Sequence, residues 1–206
     1  MDKHAQGSRS TELCVLLLAA GSSRRFGVDK RSEFFIPGVS LLEATLNVYL
    51  DAKLSVQVCL GVDAVDRALG LQLELPGAQV LHCDHANKGM GATLAEAAGH
   101  CAGFSAVIVA LADMPLLQQN TLAALCSEAS EDRIVFPLYQ GRRGHPVVFG
   151  RRFIPALRKL QGDRGASTLI RDNPEACVAV AVDDPGVLLD ADTPEALRHL
   201  RSLVSR

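Results

Sequence analysis

The feature that most restricts what this chain can fold into is an apolar run, residues 14–20 (C-V-L-L-L-A-A), that stops at Gly21 and opens into a loop carrying Arg24, Arg25 and Lys30. An uncharged run of this kind is too apolar for a strand with one wet face. It suits a strand covered on both faces, the situation in parallel sheets flanked by helices. Gly21 frees the backbone to aim N–H groups at an anion, and the cations bring the charge that neutral amides lack. The combination suits a polyphosphate. It is not a Walker A loop, because Gly21 and Gly27 enclose five residues and Val28 follows where a lysine is required. Nor does a G-x-G-x-x-G follow this strand.

The alternation of patterns downstream predicts the rest of a three-layer α/β/α fold with a mostly parallel central sheet. Helical spacing at residues 41–54 follows the loop; strands are predicted at 55–61 and 78–82 with a helix at 63–69 between them, and a further helix at 91–101. Residues 104–112 (F-S-A-V-I-V-A-L-A) form the most apolar run and predict a central strand. The rhythm then breaks. A helix opened by proline is predicted at 115–131, then extended segments at 134–139 and 146–149 joined by a basic loop, and short helices at 152–160 and 166–171. Strands at 177–182 and 187–189 and a closing helix at 193–203 complete the chain. With 206 residues, 48% of them hydrophobic, one domain (1–206) is expected. Residues from about 12 to about 115 look like its nucleotide-binding half, with about 116–206 as the second half.

A formal net charge of −2 argues against a non-specific nucleic-acid binder, although Arg24, Arg25, Lys30, Arg31, Arg142, Arg143 and Arg164 gather near the predicted site. The six cysteines form no C-x-x-C pair and sit mostly in apolar segments, as reduced core thiols do in the cytosol. His82, Cys83, Asp84 and His85 lack a second ligand cluster at zinc spacing. No basic leader precedes an apolar segment and no apolar run would cross a bilayer, so a cytoplasmic location without membrane contact is expected.

The loop resembles the signature L-A-A-G-x-S-x-R-x-G-x-x-K of the MobA/MocA-like nucleotidyltransferases, which attach CMP or GMP to the molybdenum cofactor. Leu18, Ala19, Ala20, Gly21, Ser23, Arg25, Gly27 and Lys30 fill every specified position. The resemblance implies a Rossmann-like, GT-A-like nucleotidyltransferase with Mg²⁺ as cofactor and CTP and molybdopterin as substrates, and a transient contact with a recipient molybdoenzyme. It further implies that Arg25 and the loop amides meet the β- and γ-phosphates and that Lys30 meets the α-phosphate. The L-A-A-G reading, with Ala20 where guanylyl enzymes carry glycine, implies CTP. After Lys30 the sequence departs from the family, since Arg31, Ser32 and Glu33 stand where leucines are usual, and Gly38 comes late.

Asp113 ends the most apolar strand in L-A-D-M-P, at the sheet edge where ligands bind. It could hold Mg²⁺ or cap the following helix; the resemblance implies the metal. Asp190 and Asp192 in L-L-D-A-D-T-P-E pose the same choice, with Asp192 or Thr193 as the cap and Asp192 as the implied second metal ligand. Asn87, Gly89, Gly91 and Thr93 resemble the family's segment beside the nucleobase. His145 in G-H-P and Arg164 in G-D-R-G resemble segments facing the acceptor. A general-base role for His145 is weakened because a phosphate monoester is already largely ionised near neutral pH. Transfer to a sugar phosphate, or a cofactor carrier without chemistry, stays open on the sequence alone.

Overall fold

The computed structural model describes residues 12–21, 29–73 and 75–204. The run that opens the chain is a strand, β1 (Leu13–Leu18), whose side chains alternate between two cores. Val15 and Leu17 point into one and Cys14 and Leu16 into the other, all fully buried. Two dry faces are the reason the run carries no polar residue. Beside it lie β4 (Ser55–Leu60) and β5 (Ala78–His82) on one side and β6 (Ala106–Leu111) on the other, all parallel.

Past β6 the direction changes. Strand β9 (Val147–Gly150) runs antiparallel to both β6 and β7 (Ile134–Tyr139), and β10 (Cys177–Ala181) adds parallel to β7, giving the order β10-β7-β9-β6-β1-β4-β5. A two-residue β8 (Arg142–Arg143) folds back on β7, and β2 (Phe34–Ile36) with β3 (Val39–Ser40) makes a separate hairpin. The expected three-layer, mostly parallel architecture is therefore present. One face of the sheet is covered by α1 (Leu41–Asp51), α2 (Ala64–Gln72) and α4 (Gln119–Glu128). The other is covered by α3 (Met90–Ala98), α5 (Ile154–Leu157) and α6 (Ser167–Asp172). The last helix, α7 (Pro194–Val204), packs Leu197 and Leu200 against Phe35, Leu41 and Ala191 in a third core.

Two expected elements differ. Residues 187–189 are not a strand: Pro185–Leu188 is a 3-10 turn, because Pro185 cannot donate to a ladder and the Asp184 side chain accepts from the Gly186 amide. The helix expected from Pro115 begins only at Gln119. Its N-terminus is served by the same Asp184, 1% exposed, which accepts from the Gln118 amide at 2.9 Å and the Thr121 hydroxyl at 2.7 Å. Asp113 is thereby released from any capping duty. The six cysteines form no disulfide. Neighbouring thiols first, then burial, push Cys14 and Cys59 up, so these are protonated packing groups. No helix among the described residues is long and apolar enough to cross a membrane.

Candidate functional site

The parallel strands β1, β4, β5 and β6 all end at one edge of the sheet, and a cleft of about 870 Å³ opens there. Backbone hydrogen bonds continue past the strands, from Ala19 to the Cys59 carbonyl, from Cys83 to Leu60 and from Ala112 to Leu18. They hold the strand ends level, so that the loops leaving these strands face the same space. Leu18, Ala19, Ala20, Gly21, Lys30, Gly89, Asp113 and Asp192 all line it. Ser23 and Arg25, with the rest of 22–28, lie outside the described residues.

At one end of the cleft the Lys30 ammonium stands 2.6 Å from Asp113 Oδ2 and 3.1 Å from Asp192 Oδ1. These residues are 83 and 162 positions away from it in sequence. Three local devices bring them together. Asp29 caps the 3-10 turn Lys30–Ser32 through the Arg31 amide, which sets the lysine's direction. Asp113 is the second residue beyond β6. Ala191, fully buried against α7, donates its amide to the Asp113 carbonyl at 3.0 Å and so fixes the corner bearing Asp190 and Asp192 beside it. Thr193, rather than Asp192, caps α7 by accepting from the Ala196 amide, which leaves the Asp192 carboxylate to the cleft.

Burial alone would depress the Lys30 pKa, but Asp113 and then Asp192 outweigh it and hold it above its ordinary value. Asp190 completes the corner. Desolvation and then its neighbours Asp113 and Asp192 raise its carboxyl above the usual carboxylate range, with Lys30 only partly opposing. Carboxylates that repel one another and converge on one cation are a donor set suited to Mg²⁺, which takes one or two protein carboxylates and completes its shell with water and substrate oxygens. Among the described residues no group of three or more His, Cys, Asp or Glu side chains is arranged to hold a metal. His82, Cys83, Asp84 and His85 do not form such a group.

Arg31, one of the cations near the site, has a different use. Its guanidinium is engaged by both Asp29 oxygens at 2.8 and 2.7 Å, by the Ala19 carbonyl at 2.7 Å and by Asp66 of α2. Burial works against its charge, yet the Asp29 and Asp66 carboxylates raise its pKa further. The residue that departs from the family pattern is thus a buried tie between the end of β1 and α2. Asp66 was hidden in the sequence because D-A-V-D also reads as an exposed helix start, where Asp63 does cap α2 through the Asp66 amide.

Gly89 and Gly91 are required by the packing of the chain itself. Gly89 has φ +113°, and a Cβ on either glycine would strike the 161–164 loop. The Gly91 amide donates to Gly162 O at 2.8 Å and the Ala92 amide to the same carbonyl at 3.3 Å. The start of α3 is therefore capped by the chain itself. Gly91→Ala is expected to destabilise the fold by about 1–3 kcal/mol, since the obstructing atoms, Arg164 O, Gly162 O and Gln161 O, are backbone. Thermal melting checks this, and an unchanged melting temperature would refute the packing role.

His145 and Arg164 are not among the lining residues of the main cleft. The Arg164 side chain is exposed, while its neighbour Asp163 lines the cleft. His145 lies in an adjoining apolar pocket of about 70 Å³ with Arg143, Val147 and Phe149, and this pocket shares Leu18, Met90 and Leu111 with the cleft. The His145 Nδ1 is buried without a hydrogen-bond partner. Burial first, then Arg143, lower its pKa against the pull of Asp113, so the ring is neutral at pH 7.

Residues 15–180 match the MobA-like NTP transferase domain. The chain belongs to that family. Among curated relatives, the purine catabolism protein PucB of Bacillus subtilis (strain 168) is 30% identical over 211 residues, covering 96% of this chain and all of PucB. Among solved structures, the homologue of Mycobacterium tuberculosis Rv0371c from Mycobacterium sp. strain JC1 is 26% identical, with a TM-score of 0.80 over 95% of this chain and 98% of its own. The M. tuberculosis Rv0371c complex with manganese, 24% identical, has a TM-score of 0.77 over 94% of this chain and 99% of its own. At that identity it speaks to the fold, which this MobA-like chain shares.

Proposed function

We propose that this protein transfers CMP from CTP to the terminal phosphate of molybdopterin, forming a cytosine dinucleotide and releasing pyrophosphate. The observation that carries the reading is the convergence of Asp113 and Asp192 on the Lys30 ammonium at the end of a cleft spanning four parallel strand ends. Such an edge is where open α/β sheets bind nucleotides.

With the phosphates at the Lys30 end, the nucleoside would lie toward Ala19, Ala20, Gly61 and Gly89, which line the same cleft. The amides from Gly21 through Ser23, with Arg25, would hold the β- and γ-phosphates. Asp113 and Asp192 would hold Mg²⁺, which when bound would supply positive charge to offset that of the triphosphate. Lys30 would meet the negative charge that develops at the α-phosphorus as the acceptor oxygen bonds to it and the bond to pyrophosphate breaks. The acceptor monoester needs no general base, since its second pKa is about 6. We assign His145 to acceptor binding; the apolar lining of the pocket beside the cleft, with a neutral imidazole and Arg143, supports a flat ring rather than a polyol there. Arg164 is proposed on the same side, at the rim. The preference for CTP rests on Ala20, whose methyl narrows the base site relative to glycine. The name of the Bacillus relative extends the proposal to a recipient molybdoenzyme of purine breakdown.

Incubation with CTP, Mg²⁺ and molybdopterin is expected to release one pyrophosphate per dinucleotide formed. GTP in place of CTP should turn over at least about tenfold more slowly, the scale of one poorly fitted group in a binding pocket. Release with ribose 5-phosphate but not with molybdopterin would refute the acceptor, and a preference for GTP would refute the role of Ala20.

A further inference from the structure

Lys30 sits on the oxygens that a divalent ion would need. At 2.6 Å from Asp113 and 3.1 Å from Asp192, its ammonium occupies the position between the two carboxylates. A metal bound there and an ammonium in the same place exclude one another, by contact and by like charge. The Lys30 and Asp113 side chains are only 17% and 14% exposed, so the attraction between them is not fully screened by water, whereas Asp192 is 51% exposed and holds the ammonium less firmly. A free metal ion entering the cleft must therefore push the lysine off two carboxylates. A nucleotide changes that balance. Its phosphates offer the ammonium a new anionic partner, and the flexible four-carbon stem of lysine allows the move without rearranging the backbone.

We infer that Lys30 is an exchangeable counter-ion which closes the carboxylate pair to free divalent metal and yields it only to metal arriving with a nucleotide, whereupon its ammonium passes to the phosphate chain. The inference rests on the assignment of Asp113 and Asp192 as the metal carboxylates and adds an order of events to it. The same lysine then has two successive partners. Metal and nucleotide must reinforce each other's binding, and linkage makes that coupling reciprocal.

The test is a titration of the whole, nucleotide-free protein with Mn²⁺, reading free Mn²⁺ by electron paramagnetic resonance. Lys30→Met keeps the stem and removes the charge, and is expected to bind Mn²⁺ at least about tenfold more tightly than the wild type, within the usual range of coupling between sites. Lys30→Arg keeps a cation and is expected to bind as weakly as the wild type. Adding Asp113→Asn to Lys30→Met is expected to abolish the gain. A gain below about threefold, with binding still sensitive to Asp113→Asn, overturns the exchange while leaving the metal assignment intact. Mn²⁺ binding that ignores Asp113→Asn overturns the metal assignment, and the exchange with it. Lys30→Gln, judged by the same thresholds, replaces Lys30→Met should circular dichroism show that variant unfolded.

Discussion

Asp113→Asn is expected to lower turnover about 10²–10³-fold, the scale of losing one preorganised electrostatic group at a site of developing charge. The substitution keeps the shape of the side chain and removes its charge. Its backbone carbonyl still accepts from Ala191, and Lys30 retains Asp192, so the corner between β6 and α7 stays assembled. The melting temperature should consequently move by only a few degrees. Pyrophosphate release under saturating CTP and Mg²⁺, together with thermal melting, checks both halves. A rate within about fivefold of the wild type would remove Asp113 from the reaction, and a loss of rate matched by collapse of the fold would make its role structural.

Arg31→Leu restores the residue type usual in the family and is expected to be the most destabilising change in the loop region. Removing the guanidinium leaves Asp66, 5% exposed, as a buried carboxylate without its cation, and leaves the Ala19 carbonyl without its donor. Breaking a buried pair in this way costs about 3–5 kcal/mol. We take the lower end, about 3 kcal/mol, because Asp29 is a quarter exposed and can rehydrate. For a chain of this length that is a fall of about 6–12 °C in melting temperature. Arg31→Leu combined with Asp66→Asn should regain part of it, because the stranded charge is gone.

Asp29, the other carboxylate on Arg31, gives the protein an acid dependence. Burial would raise the Asp29 carboxyl, but Arg31 outweighs it and holds it below the ordinary 3.8. The folded protein thus binds fewer protons than the unfolded chain in that window. The associated stability is complete above the unfolded value and is lost as the pH falls through the folded one. Urea unfolding between about pH 3 and about pH 5 should show a shallower loss in Arg31→Leu than in the wild type. Equal slopes would contradict the pairing.

Much of this architecture is legible in the order of residues. The runs at 14–20 and 104–112 are uncharged because β1 and β6 face two cores, and that demand is written into every position. Glycine at the end of β1 and aspartate two residues beyond β6 are local signals too, since strand ends on a parallel sheet face ligands. Where the signal was ambiguous, local chemistry had two equally good solutions. An aspartate before a helix reads as a cap whether or not its carboxylate is taken. Asp113 escapes that duty because Asp184, arriving from a later turn, serves α4 instead, and Asp192 escapes it because Thr193 serves α7. Glycines before a helix read as room for a ligand, and the close approach of residues 161–164 to Gly89 and Gly91 is a second demand that the local pattern does not reveal.

The layered α/β class and the placing of charged residues just after the apolar strands are legible in the order of residues, because each depends on side-chain chemistry within a few positions along the chain. Only the tertiary structure decided which charges meet: Lys30 with Asp113 and Asp192, and Arg31 with Asp29 and Asp66. The physical reason is that an ion pair depends on distance in space. Contacts across 83 and 162 positions arise from strand order and from the packing of α7, which no local pattern encodes.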